Sequence, residues 1–158
     1  MLKVSQRTEY ALRATVELAL RYGPSRVPAR EIAEAQGIPL RFLEQQLAVL
    51  HKAGLVESFR GAGGGCRLAR DPSTIRVSEI VDVMEGPAFP MYCLEPADHT
   101  CFQDGRCGLQ ELWVDVHSAV RDVFERTTVA ALALRHRRLA PDNPMWSPED
   151  LLRPAGAN

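Results

Sequence analysis

Along SQRTEYALRATVELALRYG, the apolar residues Leu12, Val16, Ala19 and Leu20 recur at steps of three and four, the spacing of one helical face. Ser5 is the predicted N-cap, and Gly23–Pro24 closes the segment after about four to five turns. The next stretch, VPAREIAEAQGIPLRFLEQQLAVLHKAGL, predicts two helices with a tight break at Gly37-Ile38-Pro39. The first runs from about Pro28 to Gln36 and opens on a proline, which suits a first helical turn. The second spans about Leu40 to Ala53, turns Leu43, Leu47 and Leu50 inward, and stops at Gly54. Two short strands are then predicted at Leu55–Arg60 and Cys66–Ala69, joined by GAGGG. VSEIVDVMEG predicts a fourth helix over 77–86 with Ser78 as its N-cap.

Further on, Leu109, Leu112, Val116, Val120, Val123, Thr127, Ala130 and Leu134 trace one stripe at steps of three and four. It predicts a single helix from about Leu109 to Arg137, about 40 Å long. A small domain cannot bury a helix of that length against itself, so an equivalent helix from a second chain is its economical partner. The end of the chain, PDNPMWSPEDLLRPAGAN, is rich in proline and polar residues and reads as a mobile tail, with Trp146 the residue able to dock back.

Ala33, Gly37 four residues later and Leu43 six beyond fit a helix-turn-helix. Ala33 lets the helices approach, Gly37 accepts the turn, and Leu43 plugs the angle between them. An ordinary helical hairpin shares this outline; the strand pair that follows decides between them, because a hairpin directly after the second helix is the wing of a winged helix. Its glycines permit positive φ and close approach to a phosphate backbone, and Arg60 and Arg67 flank the tip, where cations reach phosphate or the minor groove. The glycine run lacks the Lys-Ser/Thr of a nucleotide-binding loop, and no parallel strand–helix unit surrounds it. In this architecture the first turn of the second helix enters the major groove. The candidates there are Arg41 for a guanine edge, Gln45 for an adenine edge, and Glu44, which can accept from cytosine or repel wrong sequences. Glu44 can instead pair with Arg41 across a turn, which carries no sequence information.

Charge sharpens this reading. Residues 1–76 carry twelve Lys/Arg against seven Asp/Glu, a balance of +5, while the remainder balances at −6. A basic N-terminal half suggests an anion-binding module joined to something else. The composition, 46% hydrophobic and 25% charged, is that of an ordinary globular protein. No apolar run is long enough to cross a bilayer, and MLKVSQRTEY lacks the apolar stretch of a secretory signal, so a cytoplasmic protein with reduced thiols is expected.

Three of the four cysteines, Cys93, Cys101 and Cys107, fall in CLEPADHTCFQDGRC, spaced C-x7-C-x5-C among prolines and glycines. Thiolates on a pliable loop can converge on a metal centre. Structural zinc prefers paired C-x2–4-C spacing, which is absent; an iron–sulfur cluster accepts irregular spacing and takes thiolates readily. Cys66, at the base of the wing, reads as a small wall residue. No nucleophile–base pair, paired carboxylates or cofactor loop emerges, so the chain is not expected to be an enzyme.

Taken together, LKVSQRTEYALRA, EIAEAQGIPLRFLEQQL, KAGLVESFRGAGGG, VSEIVDVMEG and the three cysteines before a long helix resemble the winged-helix iron–sulfur transcriptional regulators, the family that includes IscR, NsrR and the rhizobial iron regulator RirA. The resemblance runs from Met1 to about Leu134. It implies a mainly α fold: a winged helix-turn-helix over 1–86 with a small β-hairpin wing, a cluster-binding loop over 87–107, a long C-terminal dimerisation helix over 108–138, and a tail over 139–158. It further implies a homodimer on double-stranded operator DNA, repressing transcription in response to iron, cluster status, nitric oxide or redox stress, through a cluster for which [4Fe-4S] is favoured over [2Fe-2S]. IscR-like members carry a histidine three residues after the last cysteine, where this chain has Gln110; the first gap and the CGL after Cys107 look more like RirA and NsrR. Some relatives place an acidic residue early in the first helix as the non-cysteine ligand, and RTEYALR matches in register, which implies Glu9 of the partner subunit as fourth ligand, with His99 inside the loop as the alternative. Two other classes stay open: a cluster-free thiol redox repressor, and an iron–sulfur scaffold or assembly factor that does not bind DNA.

Overall fold

The computed structural model describes residues 4–61, 63–86 and 107–139. Cys93, His99 and Cys101, with the rest of the loop over 87–106 and the tail over 140–158, lie outside them. The described chain runs α1 (Gln6–Leu20), α2 (Ala29–Gln36), α3 (Leu40–Lys52), β1 (Val56–Phe59), β2 (Gly65–Leu68), α4 (Val77–Glu85), α5 (Gly108–Arg126) and α6 (Val129–Leu139). This is the predicted winged helix-turn-helix, mainly helical with one small hairpin.

Ser5 caps α1 as expected, its hydroxyl accepting from the Thr8 amide at 3.4 Å. The face of α1 differs from the one predicted. Thr8, Ala11, Ala14, Thr15 and Leu18 are the buried side, along with Ala19 and Leu20, while Leu12 and Val16 are only half-buried. Alanine and threonine at the contact let α1 sit close to α2, α3, α4 and α6, all of which pack on it. The larger Leu12 and Val16 cover the edge of that core.

The helix-turn-helix forms as its residues dictate. Gly37 ends α2 in the left-handed region (φ 59°), where a side chain is strained, and the Ile38 amide returns to the Ala33 carbonyl at 2.9 Å. Leu43 is fully buried and fills the angle, with Ile32, Leu47 and Leu50 around it. Beyond Gly54, β1 and β2 pair antiparallel with Val56 opposite Leu68 and Phe59 opposite Gly65.

Helix α4 is capped two residues earlier than expected. Arg76 is the cap, its amide held by the Glu79 carboxylate at 2.9 Å, and Ser78 is buried inside the helix.

The long C-terminal helix is broken. Rather than one rod to Arg137, α5 ends at Arg126 and α6 begins at Val129. Thr127 is extended because its carbonyl accepts from the Val77 amide at 2.9 Å, and the Val129 amide donates to Ile75 at 2.9 Å, so this short segment runs as a strand beside residues 75–77. The Thr128 hydroxyl then caps α6 by accepting from the Ala131 amide at 3.2 Å. Helix α6 folds back on α1 and buries Val129 and Ala133. The predicted stripe is thus divided: Thr127 turns into this chain's own core, α6 buries Val129 and Ala133 in place of the expected Ala130 and Leu134, and α5 keeps the rest.

Candidate nucleic-acid interface

Helix α3 buries Leu43, Gln46, Leu47 and Leu50. Helical geometry therefore points Arg41, Gln45, Ala48 and Lys52 directly outward, with Phe42 and Val49 along one flank and Glu44 and His51 along the other. All eight are exposed. Arg41 and Glu44 do not pair with each other, and neither has a hydrogen-bond or ion-pair partner among the described residues. Arg41 and Gln45 thus stand side by side in the first two turns, free to meet base edges, and Glu44 lies off to one side. His51 is occupied, its Nδ1 hydrogen-bonded to the Val56 carbonyl at 3.0 Å. Two apolar residues here escaped the sequence reading. Phe42, 54% exposed, and Val49, 41% exposed, have no core to join; their offset from the Leu43–Leu47–Leu50 face was the available signal.

The wing carries the remaining cations. Arg60 is exposed at the end of β1. Arg67 is less free: its Nε donates to Glu57 directly across the hairpin, at 2.6 Å. The glycines of the turn have unequal roles. A side chain at Gly64 would collide with the Phe59 carbonyl at 2.7 Å, and one at Gly65 with the Val27 carbonyl at 2.8 Å, so close packing within the protein requires both. Gly61 and Gly63 have open space around them and are the positions where another backbone could come near.

Cys66 is a wall residue, 6% exposed, sitting in the core with Val27 and Val56. Burial pushes its thiol pKa up, only partly opposed by the Ser58 hydroxyl at 3.6 Å, so it stays protonated and poorly nucleophilic.

Of the expected cluster ligands, Cys107 and Glu9 fall within the described residues. Cys107 is a free, half-buried thiol at the N-cap of α5. Glu9 projects from the first turns of α1 with its side chain 62% exposed, its one partner among the described residues being Arg13 at 3.7 Å. Both donors are available, and a thiolate with a loosely held carboxylate is chemistry that cluster iron accepts. No group of three metal-ligating side chains converges among the described residues.

Helix α5 buries none of its residues. Asp82 clips it to α4 through Arg121 at 2.5 Å, and Val120 and Phe124 line the seam with Val81. Leu109, Leu112, Val116 and Val123 turn away from that seam; Leu112 is 50% exposed and Val123 43%.

The sequence matches the Rrf2 family, described as iron-dependent transcriptional regulators, over residues 4–135. It is 35% identical to the HTH-type transcriptional regulator CymR of Bacillus subtilis, covering 84% of this chain and 90% of that protein. It is 36% identical to the HTH-type transcriptional regulator IscR of Vibrio vulnificus, covering 83% and 77%. Among solved structures, B. subtilis CymR, the global cysteine regulator, superposes with a TM-score of 0.71 at 34% identity over 85% of this chain and 98% of that one. T. potens IscR gives 0.69 at 35% identity over 87% and 90%. The chain belongs to the Rrf2 family of winged-helix, DNA-binding transcriptional regulators.

Proposed function

We propose that this Rrf2-family regulator is a homodimeric repressor whose hold on double-stranded operator DNA is set by an iron–sulfur cluster on Cys93, Cys101 and Cys107. The observation that carries the reading is where the cysteine segment begins and ends. It leaves α4 at Gly86, and Cys107 stands at the N-cap position of α5, a helix whose apolar side is buried by none of the described residues. Ordering that segment would therefore act at the joint between the winged helix and the dimer helix. The cluster is [4Fe-4S] in preference to [2Fe-2S], and its fourth ligand is Glu9 of the partner chain, with His99 the alternative. A cluster held by three thiolates and one weak oxygen donor supplies an iron site that nitric oxide, oxygen or iron loss can reach.

The protein's own parts divide the work. Leu109, Leu112, Val116 and Val123 meet the same residues of a second copy, because an exposed stripe of that length on a helix with no buried residue is most economically covered by its twin. Asp82–Arg121 carries any tilt of α5 to α4. The spacing of the two α3 helices must match half-sites about 34 Å apart or a multiple of it, so a small change at that joint registers as a change in affinity. Arg41 and Gln45 read base edges, with Glu44 beside them, while Arg60 contacts the backbone or minor groove and Arg67, paired with Glu57, adds its charge beside it.

A second reading has one observation in its favour: the similarity to CymR, a global cysteine regulator, fits a repressor that works through thiols without a cluster. Anaerobic purification with iron and sulfide counting and native mass spectrometry separates the two. Iron and sulfide bound in equal numbers to a dimer supports the cluster; a metal-free dimer with full operator binding overturns it.

A further inference from the structure

The ring of Phe59, in β1, is covered by two guanidinium groups, with Arg26 Cζ 3.8 Å and Arg67 Cζ 5.3 Å from its centroid. The arrangement has a traceable cause. Phe59 stands opposite Gly65 in the hairpin, so no side chain lies directly across from the ring. The absent Cβ of Gly65 also lets the linker between α1 and α2 dock on β2: Val27 and Cys66 exchange two backbone hydrogen bonds, each 2.8 Å. That docking sets the preceding residue, Arg26, over the ring, and its guanidinium donates to the Gly63 carbonyl at the wing tip at 3.4 Å.

The two arginines differ in what remains free. Arg67 is committed to Glu57. Arg26 is exposed and has no carboxylate partner among the described residues. A cation fixed in one orientation by an aromatic face and a carbonyl loses little further freedom when it meets an anion, and the planar guanidinium suits phosphate oxygens. It also sits beside Gly63, a turn position with open space.

We infer that Arg26 grips a backbone phosphate of duplex DNA beside the wing, and that Phe59 is the residue that positions it. The inference rests on the DNA-binding reading of α3 and the wing. It adds a third phosphate-facing element, the α1–α2 linker, and a contact that is independent of base sequence.

The test is a salt titration of affinity for a random-sequence duplex library of fixed length, followed by fluorescence anisotropy. Arg26→Ala should flatten the log–log salt slope by about 0.9 for each protomer bound and weaken all sequences alike, with an unchanged melting temperature. Phe59→Leu, which keeps an apolar side chain but not the ring, should shift the slope the same way. Phe59→Trp should retain the wild-type slope. An unchanged slope in Arg26→Ala, with the wild type binding normally, overturns the inference and leaves the DNA-binding reading standing. A wild-type protein that binds no duplex overturns both. If Arg26→Ala flattens the slope while Phe59→Leu does not, the positioning role of Phe59 is wrong.

Discussion

Glu85, the last residue of α4, and Ser5, the N-cap of α1, are joined twice across eighty residues of sequence: the Ser5 amide donates to Glu85 Oε1 at 3.0 Å, and the Ser5 hydroxyl donates to the same oxygen. The Thr8 hydroxyl is a third donor there. This knot ties the start of α1, with Glu9 next to Thr8, to the point where the cysteine segment departs. Burial alone would raise the Glu85 pKa, but these hydrogen bonds, with Arg7 nearby, outweigh it and hold the carboxyl below its ordinary value.

Glu85→Gln keeps an acceptor and removes the charge, so it should cost about 1–2 kcal/mol at neutral pH. The sign of the pH effect follows from the lowered pKa. The ionised carboxylate contributes stability above the unfolded-state value of about 4.3, and that contribution is lost as pH falls through the lower folded-state value. Thermal melts should show a constant gap between wild type and variant near neutrality that closes below about pH 4. A gap that persists unchanged in acid would count against the knot.

Arg41→Ala should weaken binding to a selected operator by about 1–3 kcal/mol and relax preference at one base position. Arg60→Ala should weaken all sequences more evenly and reduce the salt dependence. Competition binding against single-base operator variants distinguishes the two, and unchanged affinity in both mutants contradicts the assignment of α3 and the wing.

Leu112→Glu places a charge on the exposed stripe of α5 and should dissociate the dimer in sedimentation, since an unpaired carboxylate in an apolar interface is costly. Val120 is a poorer probe, because it lines the seam with α4 and its replacement would disturb this chain's own packing. A Leu112→Glu protein that sediments as the wild-type dimer places the interface elsewhere.

Glu9→Ala should alter the spectrum, stability and signal response of a cluster that three cysteines still hold. The fold should hardly notice, as an exposed pair one turn apart contributes about 0.3–0.5 kcal/mol. If the variant's cluster is unaltered while His99→Ala loses it, the fourth ligand is His99.

The winged helix was legible because its signals are local. Ser5 caps, Gly37 turns, Leu43 plugs and Gly54 stops, each by its own conformational preference. The break at Thr127–Thr128 was illegible for the opposite reason: the apolar stripe continues through it at steps of three and four, and what interrupts the helix is pairing with residues 75–77, fifty positions away. The face of α1 was misread because close packing selects Thr8, Ala11 and Thr15, which hydropathy ranks below Leu12 and Val16. Arg26 belongs to a loop with no periodicity, and only the docking of Val27 on Cys66 gives it a place. At the site, residue chemistry found Arg41, Gln45 and Arg60, whereas the pairing of Arg67 with Glu57 required the hairpin register.

The most direct test of cluster-controlled binding is the affinity of one protein preparation for its operator, measured anaerobically before and after the cluster is stripped by chelation. The account predicts at least a tenfold difference in Kd, about 1.4 kcal/mol, abolished in a variant with Cys93, Cys101 and Cys107 all changed to serine. Equal affinity of the loaded and stripped forms would contradict it.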